Sequence, residues 1–567
     1  MHLFKQLLHI TKRKNMKSKY FKSGIALLLG GLLICCQKKL EEQPVSILTP
    51  AFFKTAQGFL SGLDAAYAGN RNLWGTENFA TFTVAGTDEF TSGRDGNNTI
   101  NKYASSYNSS TGAVSAIWRN CYTFINTCNG LIDNAANVQG ISTSQVKQMV
   151  AEAKFLRANY YFILVKGWGD VTLNTHFQSD ATTSASRQPV ADVYKFIIQD
   201  LTEAIVDLPP SPMQNGVLPG KATAAVARHL LAMVYLTRAY STAKQNDDFQ
   251  NAYNNAKNLI DNSALLGLGL LQDFGQVYAP GNEANKEVLW SVQHTPNLAY
   301  NSAGTSDNQL SHHFLSVYDA QPGLMRSIAY GRPFSRFMPT RWLTDTVFKE
   351  RLNDQRYAKT FQVTWLSNNA ATIPKTGSTP KYTLGDTALY LPGVDVSDAK
   401  IAASRYQLVP PRKYSLTVYP SMIKYIDPNR PDVNAQSIRS VIAYRISETY
   451  LIAAEAAFNL SNTPAAAQHI NTVRARAAYP GGNVTAMDIT PATVTLDFIL
   501  DERSRELCGE QSRWFDLVRT GKLIERVKKH NPDGAVNIRD YHIFRPIPQS
   551  QIDAVITGDR YPQNPGF

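Results

Sequence analysis

Cysteine is scarce in this chain: two stand together at positions 35 and 36, and the others are Cys121, Cys128 and Cys508. A fold stapled by disulfides is excluded. Cys121 and Cys128 fall seven apart on a predicted helix, roughly 10 Å along its axis, so they share a face but cannot bridge. No histidine stands at ligand spacing from them, so a metal site is unsupported and buried free thiols are expected. No G-x-S-x-G, no H-E-x-x-H and no phosphate-binding glycine-rich loop occurs. Apart from one short run near the N-terminus, no stretch is long and apolar enough to approach a membrane span. A basic stripe is missing too. The net charge is +12, but residues 1–35 hold seven Lys and Arg and no acid, which leaves a mild excess of five on the rest. That gives no case for nucleic acid as a partner.

What the N-terminus does contain is a targeting segment. Residues 16–22 (MKSKYFK) are basic, and residues 24–34 (GIALLLGGLLI) form an apolar run of signal-peptide length. Met16 is the expected start, because residues 1–15 add nothing a signal requires. The apolar run ends in Cys35-Cys36, as in a bacterial lipoprotein box, although Ala or Gly is usual before the modified residue. Cys36 is the expected acylated residue, with Cys35 and an ordinary signal peptide as the alternatives. Residues 1–35 are then a signal, 36–48 a polar tether and 49–567 the folded region.

The hydrophobic share of 43% and charged share of 18% are those of a globular chain. Apolar residues recur at helical spacing over 52–67, 114–132, 146–165, 189–208, 221–240, 249–261, 442–460, 464–478 and from 496 onward. Helices joined by short turns read as pairs, similar in length to tetratricopeptide repeats. Residues 69–110 read as a long polar loop, and 265–439 as a second irregular excursion with strand-like pieces at 287–293, 361–365 and 382–390. The expected fold is mainly α: a helical scaffold over 49–264 and 440–567 with a loop-rich insertion.

Several motifs then converge on one family. Residues 151–158 (AEAKFLRA) with Tyr161-Phe162 and Gly169-Asp170-Val171 form one. Arg445, Glu448 and Ala453-Ala454-Glu455-Ala456 form a second. Glu502-Arg503, Glu506-Leu507, Arg513, Asp516-Leu517 and Arg519 form a third. Pro546-Ile547-Pro548 and the terminal Gln563-Asn564-Pro565-Gly566-Phe567 close the chain. In this order they resemble the SusD/RagB family of nutrient-binding outer-membrane lipoproteins of Bacteroidetes. The resemblance implies about four tetratricopeptide-like helix pairs beside a loop-rich binding region. It also implies an outer-membrane, lipid-anchored protein facing the cell exterior, with a SusC-type TonB-dependent transporter as partner. An oligosaccharide or, in some members, a peptide is the ligand. No cofactor and no catalytic activity are implied.

Sugar recognition needs flat apolar faces and a few fixed polar groups. The family places its binding residues in the two irregular regions, and the carry-over is regional. The candidates are Trp74 with Arg71 and Asn78 beside it; Asp88, Glu89, Arg94 and Asn97 in the same excursion; and Tyr330, Trp342 and Trp365 in the second. Trp118, Trp168, Trp290 and Trp514 have apolar neighbours and are expected in the core. Asp354 and Arg356 are expected to form a structural pair, and His312-His313 to be solvated. Asp501, Glu502, Glu506 and Glu510 crowd one helical stretch among arginines, which favours ion pairing over a glycosidase's opposed carboxylates. The rival functions are a scaffold that binds only proteins, which requires an exposed apolar groove, and a secreted hydrolase, which requires paired carboxylates in a cleft.

The anchor is testable without knowing the ligand. Cys36→Ala should move the protein, expressed without its partner, from the membrane fraction to the soluble fraction. A variant that stays membrane-bound would show that acylation at this position is not the anchor.

Overall fold

The computed structural model describes residues 50–297, 301 and 308–567. The signal, Cys36 and the tether lie outside the described residues. The scaffold helices are α1 (Ala56–Ala68), α2 (Glu77–Thr83), α3 (Gly112–Asn134), α4 (Thr143–Trp168), α5 (Val190–Asp207), α6 (Ala224–Arg238), α7 (Asp248–Asp261), α8 (Ile446–Asn459), α9 (Thr463–Ala477), α10 (Leu496–Leu507), α11 (Arg513–Arg519) and α12 (Leu523–His530). The strands used below are β1 (Phe90–Ser92), β2 (Val288–Val292), β3 (Phe337–Pro339), β4 (Thr364–Leu366), β5 (Thr387–Tyr390), β6 (Gln407–Leu408) and β7 (Val441–Arg445). Helix starts follow local chemistry. Ser142 and Gln145 form a capping box that begins α4 a few residues before its apolar stripe, while Thr55, Thr223 and Thr495 accept the first orphan amides of α1, α6 and α10.

The helices pack in sequence: α1 on α3, α4 on α5, α6 on α7 and α8 on α9 give four pairs, and α5–α6 and α7–α8 contacts join one pair to the next. Small side chains let them approach. Ala232 and Leu236, Ala252 and Ala256, and Ile452, Ala453 and Ala456 form one buried cluster across α6, α7 and α8. Trp168, Trp290 and Trp514 are fully buried and Trp118 nearly so. Cys121, Cys128 and Cys508 are buried free thiols. Among the described residues, no helix is long and apolar enough to cross a membrane.

Two sequence expectations need correcting. Residues 442–460 do not form one helix. Val441–Arg445 is a strand that pairs antiparallel with β2, and α8 starts only at Ile446. The β-branched Val441 and Ile442 face β2 across the ladder, and Arg445 keeps extended dihedrals, so strand pairing overrides the helical period. The β2–β7 ladder thereby joins the two ends of the second excursion. Residues 69–110 are not a solvated loop either. They contain α2 and β1, and Thr83, Thr87 and Asp88 are fully buried. Their polarity is satisfied internally: Asn101 Oδ1 accepts from Gly86 N at 2.9 Å and Asn531 Nδ2 donates to Thr87 O at 2.7 Å.

The charges of α10 form a closed ionic network. Glu506 accepts from Arg356 at 3.1 Å, from Arg445 at 2.5 Å and from Arg476. Glu502 accepts from Arg356 and Arg505 at 2.8 Å and from Arg474 at 2.9 Å. Arg445 and Arg476 also bind Glu287, at 2.9 and 2.6 Å, beside the start of β2. Arg445 and Lys424 bind Glu510. Asp354 and Arg356 do form a structural pair, at 2.7 Å, and it is part of this network. One buried cluster thus ties α9, α10, β7 and the second excursion together. The Asp501 carboxylate is held separately, by Arg526 at 2.5 Å.

Burial alone would raise the Glu502 and Glu506 carboxyls, but the surrounding guanidinium groups outweigh it and hold both well below the usual range. The same balance, with Arg513 and Arg526, brings Asp88 down to about 2. These folded values lie below the unfolded ones. The stability they contribute is therefore present above about pH 4 and lost as pH falls through the folded values. Glu89 runs the other way: burial pushes it up to about 7, so it costs stability as pH rises from about 4.5 toward 7. Glu506→Gln should lower unfolding stability by about 3–5 kcal/mol, because it leaves arginines buried without their counter-charge. In pH-dependent urea unfolding, Glu89→Gln should flatten the decline between about pH 4.5 and about pH 7, and an unchanged profile would contradict this account.

Candidate ligand-binding face

β1 and β3 pair antiparallel, with Thr91 opposite Met338, and this brings the two excursions together. The tip that follows β1 is held by its main chain. Gly93 N donates to Arg336 O, Arg94 N to Leu416 O and Asp95 N to Ser335 O, each at 3.1 Å. Gly93 and Gly96 permit this approach, since a Cβ at either would run into the carbonyl oxygen of Ser335 or Arg336. Arg94 is exposed and pairs with Asp95 at 2.7 Å. That hydrogen bond raises the Arg94 pKa, and Asp319 of the second excursion adds to the effect.

Asp319 lines an open depression of about 630 Å³ together with Gln321, Arg326, Asn369, Thr372 and Asn434. Arg326 donates to Asp319 at 3.0 Å and to Asn434 at 2.7 Å, which fixes three polar side chains at once. Tyr330, which packs on the residue before Asp319, is half-buried. Its ring meets Tyr318 edge-on at 5.5 Å, and its hydroxyl accepts from Leu366 N at 2.9 Å. Tyr318 is in turn stacked on the buried Trp365 at 6.4 Å. A ladder of rings therefore runs from the core to the surface, on the small β4-β5-β6 sheet.

A second cavity of about 660 Å³ opens where α1 ends beside β2. Its floor includes Ala65, Ala68, Trp290 and Val292, and its rim Asp64, Tyr67, Arg71, Lys221 and Gln293. Arg71 Nε donates to Gln293 O at 2.7 Å. Lys221 and the Tyr67 hydroxyl both reach Glu152, at 3.2 and 2.7 Å. Burial, with Arg71 beside it, pushes His294 down to about 4, so its imidazole is neutral at ordinary pH.

The structure separates the sequence candidates into two groups. Arg71, Arg94 and Tyr330 are accessible: Arg71 lines the second cavity, Arg94 stands on the tip and Tyr330 is half-buried on Tyr318, the residue before Asp319. Asn78 is half-buried on α2. Trp74, Asp88, Trp342 and Trp365 offer no open platform. Trp74 is 5% exposed and packs on Phe79 and Trp290 at 5.1 and 5.7 Å. Trp365 is buried under Tyr318. Trp342 is covered by His530, stacked at 4.5 Å, and by the Arg526 guanidinium at 4.7 Å. Asp88 is bound by Arg513, at 2.8 and 2.7 Å, and by Arg526 at 2.7 Å. Glu89 is buried, and Asn97 caps a short helix through Ile100 N. His312 and His313 are buried as well, with Phe334 against both rings, where solvation was expected. Sequence reading missed Asp319, Gln321, Arg326, Asn369 and Asn434. They come from three separated turns with no motif, and only chain folding makes them neighbours. Among the described residues, no group of three or more His, Cys, Asp or Glu could hold a metal ion.

Comparison with known proteins sets this face in context. A sequence model of the SusD family matches residues 267–567, and a second, described as starch-binding associating with outer membrane, matches residues 40–236. A protein described as SusD-like protein P2 from Formosa agariphila is 29% identical, over 97% of this chain and all of its own. Two solved structures share the fold. One, a SusD homolog from Bacteroides thetaiotaomicron, has a TM-score of 0.70 at 20% identity, over 91% of this chain and 98% of its own. The other, described as a laminarin binding SusD-like protein, has a TM-score of 0.63 at 23% identity, over 91% of this chain and all of its own.

Trp74 and Trp365 are core residues, so their replacement is a packing lesion. Trp74→Ala and Trp365→Ala should each cost about 3–5 kcal/mol in denaturant unfolding. An unchanged midpoint would return them to the surface.

Proposed function

Because this chain belongs to the SusD family, we propose that it is a cell-surface lipoprotein that binds an oligosaccharide and hands it to a SusC-type TonB-dependent transporter in the outer membrane. The observation that carries the binding site is the fixed Asp319–Arg326–Asn434 cluster in the depression, with the half-exposed Tyr330 ring packed on Tyr318, the residue before Asp319. A ring face offers stacking to a pyranose, and preset amide, carboxylate and guanidinium groups offer hydrogen bonds to hydroxyls, in a shallow open depression. Such a surface releases its ligand without a lid, which suits delivery. The similarity to a protein described as laminarin binding is consistent with this class of ligand.

The arrangement argues for binding without bond chemistry. Asp319 is the carboxylate lining the depression, and it is held by Arg326, so no opposed acid and base face one another there. The dense acids of α10, the other source of paired carboxylates, are locked inside the scaffold. Delivery to a transporter is supported by the family and by the signal ending in Cys35-Cys36.

A glycan and peptide array on the purified protein identifies the ligand, and calorimetry with the best hit then tests the site. Tyr330→Ala and Arg326→Ala should each weaken binding about tenfold, near 1.4 kcal/mol, with the fold intact. Unchanged affinity in both would move the site elsewhere, with the Arg71 cavity as the next position to probe. A tagged protein purified from its native membrane should bring a β-barrel transporter with it; its absence would sink the delivery reading.

A further inference from the structure

Away from the loop-rich face, a cavity of about 210 Å³ lies among α4, α5, α6 and α11. Its walls include the apolar side chains of Val190, Phe515, Val518 and Phe544. Lys166 and Tyr194 line it, with Thr237, Tyr240, Ser241, Thr242 and Arg519; Arg519 is already bound to Glu455 and Asp516, and the Thr237 and Ser241 hydroxyls donate to main-chain carbonyls. Lys166 sits against two rings, 4.1 Å from the centre of Phe162 and 4.0 Å from that of Phe515. Among the described residues neither Lys166 nor Tyr194 has a hydrogen-bond or ion-pair partner.

The lack of a counter-charge follows from the ionic arrangement of the scaffold. Asp516 and Glu448 act on Lys166 through space, but both are already committed. Asp516 binds Arg503 and Arg519, each at 2.9 Å, and Glu448 binds Arg503 at 2.6 Å. Arg503 and Arg519 in turn disfavour the lysine charge. The ammonium is left as an unmatched cation facing an apolar cavity. Burial pushes it down to about 7, so an arriving anion would restore its charge. Ring contacts partly offset the lost hydration, but they do not neutralise the charge.

A largely apolar cavity with an unpaired lysine and a free phenol in its wall matches a particular ligand chemistry. The cation and phenol suit a carboxylate, and the valines and phenylalanines suit a flat or branched apolar body. The volume falls below the roughly 300–1,000 Å³ typical of sites for drug-sized ligands, so the ligand is small. We propose that this cavity is a second binding site, separate from the glycan face, for a small carboxylate with an apolar body, of the size of benzoate. Inorganic anions lack the apolar body, and uncharged analogues lack the partner for Lys166.

Calorimetry on the full protein with benzoate, benzyl alcohol and inorganic phosphate tests this. Benzoate should bind saturably, and the other two should bind at least about tenfold more weakly. Lys166→Met should weaken benzoate about tenfold or more and Lys166→Arg should retain it, whereas Val190→Trp should fill the cavity and abolish it. Near pH 8, benzoate binding to the wild type should take up a proton from the buffer, seen as a heat that varies with buffer ionisation enthalpy. A purely packing role for Lys166 would not produce that uptake. No saturable benzoate heat up to about 10 mM would overturn the proposal. So would unchanged affinity in the methionine variant, or phosphate binding as tightly as benzoate. If Lys166→Met fails to fold, Val190→Trp and the proton uptake decide the question.

Discussion

Glu506 is fully buried, and three arginines from three different parts of the chain end on it. Most of what distinguishes this fold depends on that convergence. A buried carboxylate with no partner is prohibitively costly, and a buried guanidinium is no better. Here each is acceptable only because the others are present. The network therefore acts as an assembly condition more than as a source of net stability. α10 can be buried only when α9 supplies Arg474 and Arg476, β7 supplies Arg445 and the excursion supplies Arg356. A loop-rich insertion, which has little regular structure of its own, is thereby anchored to a helical scaffold at a defined point.

The helical half of this architecture was readable because it is local. Periodic apolar residues place α5 to within one residue at each end, α3 within two and α4 within three, and they mark the start of α10 but not its end at Leu507; the strand at Val288–Val292 shows in its alternation. The crowded charges of α10 also announced ion pairs, since acids among arginines on an apolar helix have few other fates. What failed was non-local. Val441–Arg445 continues a helical pattern and becomes a strand because β2 lies beside it. Trp74, Trp342 and Trp365 stand in polar stretches and looked exposed, yet each is covered by residues far away in sequence. Asp88 is claimed by two arginines more than four hundred positions later. Of the accessible candidates, Arg94 feels the charge of Asp319 in the depression and Tyr330 packs on Tyr318 next to it in sequence, and the spacing of Arg94 gave no hint of that.

Charge partnering also separates the two proposed ligand surfaces. At the open depression, Arg326 and Asp319 neutralise one another and leave hydrogen-bonding capacity without net charge, as hydroxyl recognition requires. At the small cavity the arithmetic is unbalanced: arginines take the local carboxylates and strand Lys166. One scaffold thus offers a neutral polar surface in one place and an unmatched cation in another.

The tip at residues 93–96 is secured by main-chain amides and by glycines that admit close backbone contact. No side chain on it is needed to hold its position. Evolution can therefore exchange Arg94, Asp95 or the facing Leu416 without moving the platform beneath them. The clamp separates the position of this surface from its chemistry. A fold built this way can change what its surface presents by a few substitutions while its interior stays under strict constraint.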